Sequence, residues 1–303
     1  MMTGYAGKKD PDPEMIFLAR GANPDLTDNR GNTFIHQLVT GVSAKKPTIT
    51  IANLIKAGAA VDLENSAGKT PLMLAMKKRQ IDVIKQLLAA GASTDRLGKW
   101  GDSLLYSVIS CQPEDLALLD ALLSAGSDVN IRNSDGQTPL HQALSANITC
   151  TQPTERLLDA GANPNLQDQF GATPLHKLIY RRTGDSIPII KLMLQHKANL
   201  NIKDKEGNTP LLLAAFDSSE TEILQAFLSA GADPTLTDNY GNTLLHKAVV
   251  NHKPGVTKRI EIVLKVTPNP AQSNGDGRTA LDLARRRQDD DAMKLLEQVS
   301  IKK

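Results

Sequence analysis

The chain is short of several things, and each shortage excludes a class. Only ten of its 303 residues are aromatic. That is few for one compact core of this length, so close packing must rest on Leu and Ala, which favour helices. Net charge is nearly absent as well, at +2, which argues against a protein built to bind nucleic acid or a membrane surface. No apolar run approaches the length of a membrane span, and the opening MMTGYAGKKDPDP lacks the apolar stretch of a signal peptide. Only two cysteines are present, Cys111 and Cys150. Neither has metal-ligand spacing around it, so free thiols in a reducing compartment are expected rather than a disulfide. A soluble, cytoplasmic protein follows, without metal or cofactor.

Catalytic motifs are missing too. There is no phosphate-cradling Gly-Lys motif, no G-x-S-x-G elbow and no H-E-x-x-H. SNGDGRT, from Ser273, hints at a calcium loop but lacks the downstream Glu. No enzyme and no small-molecule substrate are expected.

What the chain has is repetition. NSDGQTPLHQAL, from Asn133, returns as DQFGATPLHKLI from Asp168 and as DNYGNTLLHKAV from Asp238. The glycine ahead of this step falls at Gly31, Gly68, Gly101, Gly136, Gly171, Gly207, Gly241 and Gly277, at intervals of 33 to 37. Such a period marks a solenoid of stacked units. Within a unit, Thr138-Pro139 starts a helix: Thr caps free amides, and Pro suits the first helical position. Thr70-Pro71, Thr173-Pro174 and Thr209-Pro210 repeat the device. A helix of about ten residues is expected there, then a second helix such as IDVIKQLLAAG, closed by a glycine like Gly91. From that closing glycine to the next finger glycine the spacing is always ten, as from Gly161 to Gly171. Lys197 and Thr267 replace the closing glycine and keep the spacing. Length therefore varies only between the Thr that opens the first helix and the end of the second.

NSDGQTPLHQA, LLDAGANPN and FLSAGADPT resemble the ankyrin repeat family, whose pattern is roughly D-x-x-G-x-T-P-L-H-x-A followed by L-L-x-x-G-A-[DN]. The resemblance implies an all-α ankyrin-repeat solenoid, with β-turn fingers, an inner helix facing a concave surface and an outer helix behind. The layout reads as an N-terminal tail over 1–13 and a partial unit over 14–30. Seven repeats follow over 31–276, then a C-terminal capping repeat over 277–303.

Three candidate sites remain. His36, His141, His176 and His246 share one repeat position. Stacked one per unit, they cannot converge on an ion, and the resemblance implies a structural bond between adjacent units. Aromatics are the main lead. Trp100, Phe170 and Tyr240 each precede a finger glycine, on alternate units. Tyr180 and Phe216 lie seven residues after a helix-opening Thr, and Arg181 and Arg182 adjoin Tyr180. Rigid aromatics in such places anchor partners at low entropic cost. Lastly, cations gather where first helices end: Lys77, Lys78 and Arg79, then Arg181 and Arg182, then Arg285, Arg286 and Arg287. The helix dipole accounts for cations there, and an acidic partner is the alternative.

The expected function is non-enzymatic protein binding through fingertips and the concave face, at Trp100, Phe170, Tyr180, Arg181, Phe216 and Tyr240. A monomer is expected, with one or more protein partners and without nucleic acid or membrane. A reading of another class makes the chain the targeting part of a larger enzyme, or of an effector acting in a host cytosol. Phosphate or nucleic-acid contact along the basic edge is a third.

Overall fold

The computed structural model describes residues 21–41, 50–95, 103–145, 150–179, 186–217, 221–250 and 256–300. Among them are helices and turns, and no strand. The expected tail, and most of the partial unit's helix, lie outside these residues. The chain divides into two compact units. One comprises residues 1–98 with 120–128, the other 99–119 with 129–303.

The first unit holds α1 (Phe34–Thr40), α2 (Ile51–Lys56), α3 (Pro71–Lys77) and α4 (Ile81–Ala89). First helix α1 packs on α3, and second helix α2 packs on α4. Residues of α5 (Pro113–Ser124) belong partly to each unit.

The second unit opens with a 3-10 helix, Leu104–Val108. Its first helices are α6 (Pro139–Ala143), α8 (Pro174–Leu178), α10 (Pro210–Asp217), α12 (Leu244–Val250) and α14 (Ala280–Arg287). Its second helices are α7 (Gln152–Asp159), α9 (Ser186–Gln195), α11 (Thr221–Ser229), α13 (Val256–Leu264) and α15 (Asp290–Ser300). Each layer packs on its own kind, α8 on α10 on α12 on α14, and α7 on α9 on α11 on α13 on α15. Small residues make the first-helix layer tight. Ala143, Ala214, Ala215 and Ala248 are fully buried beside Leu140, Leu175, Leu211 and Leu245. Each such leucine contributes about 1.5–3 kcal/mol by leaving water. A single helix pair has too few of them to stand alone, so stability comes from the stacking.

Thr70 and Thr209 cap their helices as the sequence implies, while the Thr138 and Thr173 hydroxyls meet a histidine ring three residues on. Thr70 Oγ1 accepts from Met73 N–H at 3.3 Å, and Thr209 Oγ1 from Leu212 N–H at 3.3 Å. The first helices run shorter than the expected ten residues, with five in α6 and eight in α10. Local closures set this length. Ser145 N–H turns back to Gln142 O after α6. Arg79 takes a left-handed φ of 53° and closes α3 by donating to Met76 O.

Each finger among the described residues is a β-turn. Gly171 N–H donates to Asp168 O at 3.0 Å, and Asp168 Oδ1 accepts from Phe170 and Ala172 N–H. This accounts for the Asp or Asn three residues before every finger glycine except Gly101, which has Gly98 there. The glycine itself is required twice over at position 171. Its φ is +75°, and a Cβ there would lie 2.8 Å from Lys205 N of the next finger.

The closing position shows one substitution that costs energy. Lys197 keeps the left-handed conformation of the glycine it replaces, with φ of 64°. Thr267 abandons it, and its hydroxyl donates to Val263 O instead.

The cysteine expectation is overturned. Cys111 and Cys150 form a disulfide, with Cα atoms 5.9 Å apart, inside the usual range for such bonds. Cys111 follows the 3-10 helix and Cys150 precedes α7, so both sit between the first and second helices of successive repeats. Stacking brings equivalent positions face to face across 39 residues, which spacing along the chain does not reveal.

Candidate functional site

The four repeated histidines form one device. Thr138 N–H and hydroxyl meet His141 Nδ1 at 3.0 and 2.9 Å, while Nε2 meets Ala172 O of the next repeat at 3.0 Å. A backbone N–H only donates and a carbonyl only accepts. The proton therefore sits on Nε2, and Nδ1 is bare. His36 reaches Lys69 O, His176 reaches Asn208 O and His246 reaches Arg278 O in the same way. Burial pushes His141 down to about 4, and the other three also lie below the usual value for the same cause. These rings cap one helix and tie it to the next unit. Among the described residues no group of His, Cys, Asp and Glu is arranged to hold a metal.

The predicted aromatic site is partly visible. Trp100, Tyr180 and Arg181 lie outside the described residues, as does Arg182. Phe170 and Tyr240 stand on fingertips, 59% and 69% exposed. Phe216, at the end of α10, is 38% exposed.

Behind Phe170 and Tyr240 the structure places ion pairs that the sequence reading missed. Lys177 on α8 reaches Asp168 Oδ2 at 2.7 Å, and Lys247 on α12 reaches Asp238 Oδ2 at 2.7 Å. Burial opposes both carboxylate charges, but the lysines and the finger N–H groups outweigh it and hold both acids below the usual range. The ammonium groups also face rings. Lys177 Nζ lies 6.0 Å from the Phe170 ring, and Lys247 Nζ 5.9 Å from that of Phe216. Lys247 thereby links Phe216 to the next repeat's finger, since Asp238 Oδ1 holds Tyr240 N–H. A signal for this was present. DQFGATPLHK and DNYGNTLLHK share Asp, aromatic, Gly and Lys at the same spacing, and the other units lack that combination.

Three members of the basic clusters have local roles. Lys78 Nζ donates to Thr40 O at 2.6 Å, Arg79 supplies the left-handed turn, and Arg285 pairs with Glu297 at 3.1 Å.

Comparison with known proteins places this geometry. The family model described as ankyrin repeats (3 copies) matches residues 5–98, 104–176 and 150–238. Putative ankyrin repeat protein L92 of Acanthamoeba polyphaga mimivirus is 37% identical over 82 residues, 27% of this chain and 19% of that protein. NF-kappa-B inhibitor alpha of Sus scrofa is 31% identical over 116 residues, 35% of each chain. The chain thus spans only a minor part of these relatives' length. The crystal structure of the ankyrin repeat domain of Bcl-3, a member of the IkappaB protein family, superposes with a TM-score of 0.63 at 21% identity. That match covers 76% of this chain and 99% of the Bcl-3 chain. With the family model matching most of its length, repeat upon repeat, the chain belongs to the ankyrin repeat family.

Proposed function

We propose that the chain is a non-enzymatic protein-binding module, and that its contact surface is the row of fingertips in the second unit. The ankyrin fold generally serves interaction rather than catalysis, and one relative is named as an inhibitor of another protein. The observation that carries the reading is the exposure of Phe170 and Tyr240, 59% and 69%, on turns fixed by buried Asp168 and Asp238. Large rings held rigid in water are costly for a monomer and suited to anchoring a partner. Phe216 extends the surface toward the first helices.

The test is a paired affinity capture read by mass spectrometry. One bait is the native chain, the other carries Phe170→Ala, Phe216→Ala and Tyr240→Ala. Circular dichroism establishes that both are folded. A protein retained by the first and lost by the second supports the site. Equal capture by both baits refutes it.

A further inference from the structure

The residue before each finger glycine follows a pattern through the second unit. In order, these residues are Asp135, Phe170, Glu206, Tyr240 and Asp276. Acid and aromatic alternate over five consecutive fingers, and all five residues are exposed.

The fingers are also bonded into a row. Gln169 N–H donates to Asp135 O at 2.9 Å, and Lys205 N–H to Phe170 O at 2.9 Å. Asn239 N–H donates to Glu206 O at 3.0 Å, and Gly275 N–H to Tyr240 O at 2.8 Å. Each link consists of one hydrogen-bonded pair and one step along the chain. Cα atoms are about 5.5 Å apart across such a pair and 3.8 Å apart along the chain, so neighbouring tips lie within about 9 Å of each other. The helices behind them pack at roughly 8–10 Å, which sets the same pitch.

That pitch selects a ligand conformation. A polyproline II helix has three residues per turn and rises about 3.1 Å per residue, so every third side chain points the same way about 9 Å further on. A β-strand fails this test, because its residues i and i+3 face opposite sides.

The chemistry selects the side chain. Aromatic faces attract cations, and carboxylates pair with them. A guanidinium does both better than an ammonium, because it is planar and weakly hydrated. Asp135 Oδ1 accepts from Gln169 Nε2 at 3.1 Å and Glu206 Oε2 from Asn208 Nδ2 at 3.3 Å, but these amides leave the negative charges unneutralised, and most nearby cations are engaged elsewhere. Lys177 and Lys247 are held by buried Asp168 and Asp238. Arg132 is bonded to Gln167 O, and Lys203 to Thr237 O. Lys205 shares the finger of Glu206. Arg278 meets Asp276 only at 3.4 Å, with both partners exposed, a pairing that gains little in water.

We propose that the fingertip row from Asp135 to Asp276 docks an arginine-containing segment in the polyproline II conformation, with one arginine at every third residue. This rests on the fingertip reading above and supplies the partner's chemistry. The segment arrives with its backbone already ordered, so little conformational entropy is lost on binding.

The test uses fluorescence anisotropy on the full chain. One labelled peptide is four repeats of Arg-Pro-Pro. The control has the same composition with its four arginines contiguous. Two folded variants are compared with the native chain, Asp135→Asn with Glu206→Gln, and Phe170→Ala with Tyr240→Ala. The spaced peptide should bind more tightly than the contiguous one. Each double variant should weaken its binding by about tenfold, the sum of two exposed contacts of several tenths of a kcal/mol each. Equal affinity for both peptides, or unchanged affinity in the acid variant, overturns the proposal. Should the aromatic variant lose its captured protein while the spaced peptide fails to bind, the fingertip reading stands and the basic-segment inference falls.

Discussion

Acid should unlock this stack through its histidines, and the effect can be worked out for His141. The unfolded chain binds a proton at this ring near 6.5, the folded chain only at about 4. Between those values the unfolded state carries more protons, so stability falls as pH falls. It is intact above the unfolded value, and the loss is complete once pH passes below the folded one. At pH 4.5 the linkage is on the order of 2–3 kcal/mol for this single ring. Burial is the main cause, and the cap geometry adds to it. A proton on Nδ1 would face the Thr138 N–H, donor against donor, inside a buried cap. The perturbation is His141→Gln, which cannot titrate. Urea unfolding of native and variant chains, followed by circular dichroism at pH 7 and pH 4.5, isolates the ring. At pH 7 the variant should be weaker by on the order of 1–3 kcal/mol, because the Thr138 N–H and Ala172 O lose their partner. At pH 4.5 most of that difference should vanish. A constant difference at both pH values would refute the argument, as would a nuclear magnetic resonance titration placing His141 near 6.5.

Two further outcomes follow from the backbone and the crosslink. Lys197→Gly relieves a left-handed residue and should raise stability by about 1 kcal/mol in the same urea assay. Cys111→Ser should lower stability by about 4 kcal/mol, the entropy of a closed loop of some forty residues, and the native chain should shift in mobility on a denaturing gel when reductant is added.

Much of this protein was legible because each ankyrin unit writes its own local instructions. Thr-Pro starts a helix, glycine ends it, and Asp or Asn three residues before a glycine folds a turn. Those signals act through hydrogen bonds a few residues long, so the sequence by itself determined the period, the all-α class and the fingertip positions of Phe170 and Tyr240. Tertiary structure decided whatever depends on one repeat meeting the next. The tautomer of His141 is set by Ala172, 31 residues on, and its low proton affinity by the burial that stacking imposes. The cysteines pair across 39 residues. Lys247 of one repeat faces the Phe216 ring of another. The physical reason is common to all three. Stacking places equivalent positions of neighbouring units side by side, and a linear reading of spacing carries no information on which of those positions touch.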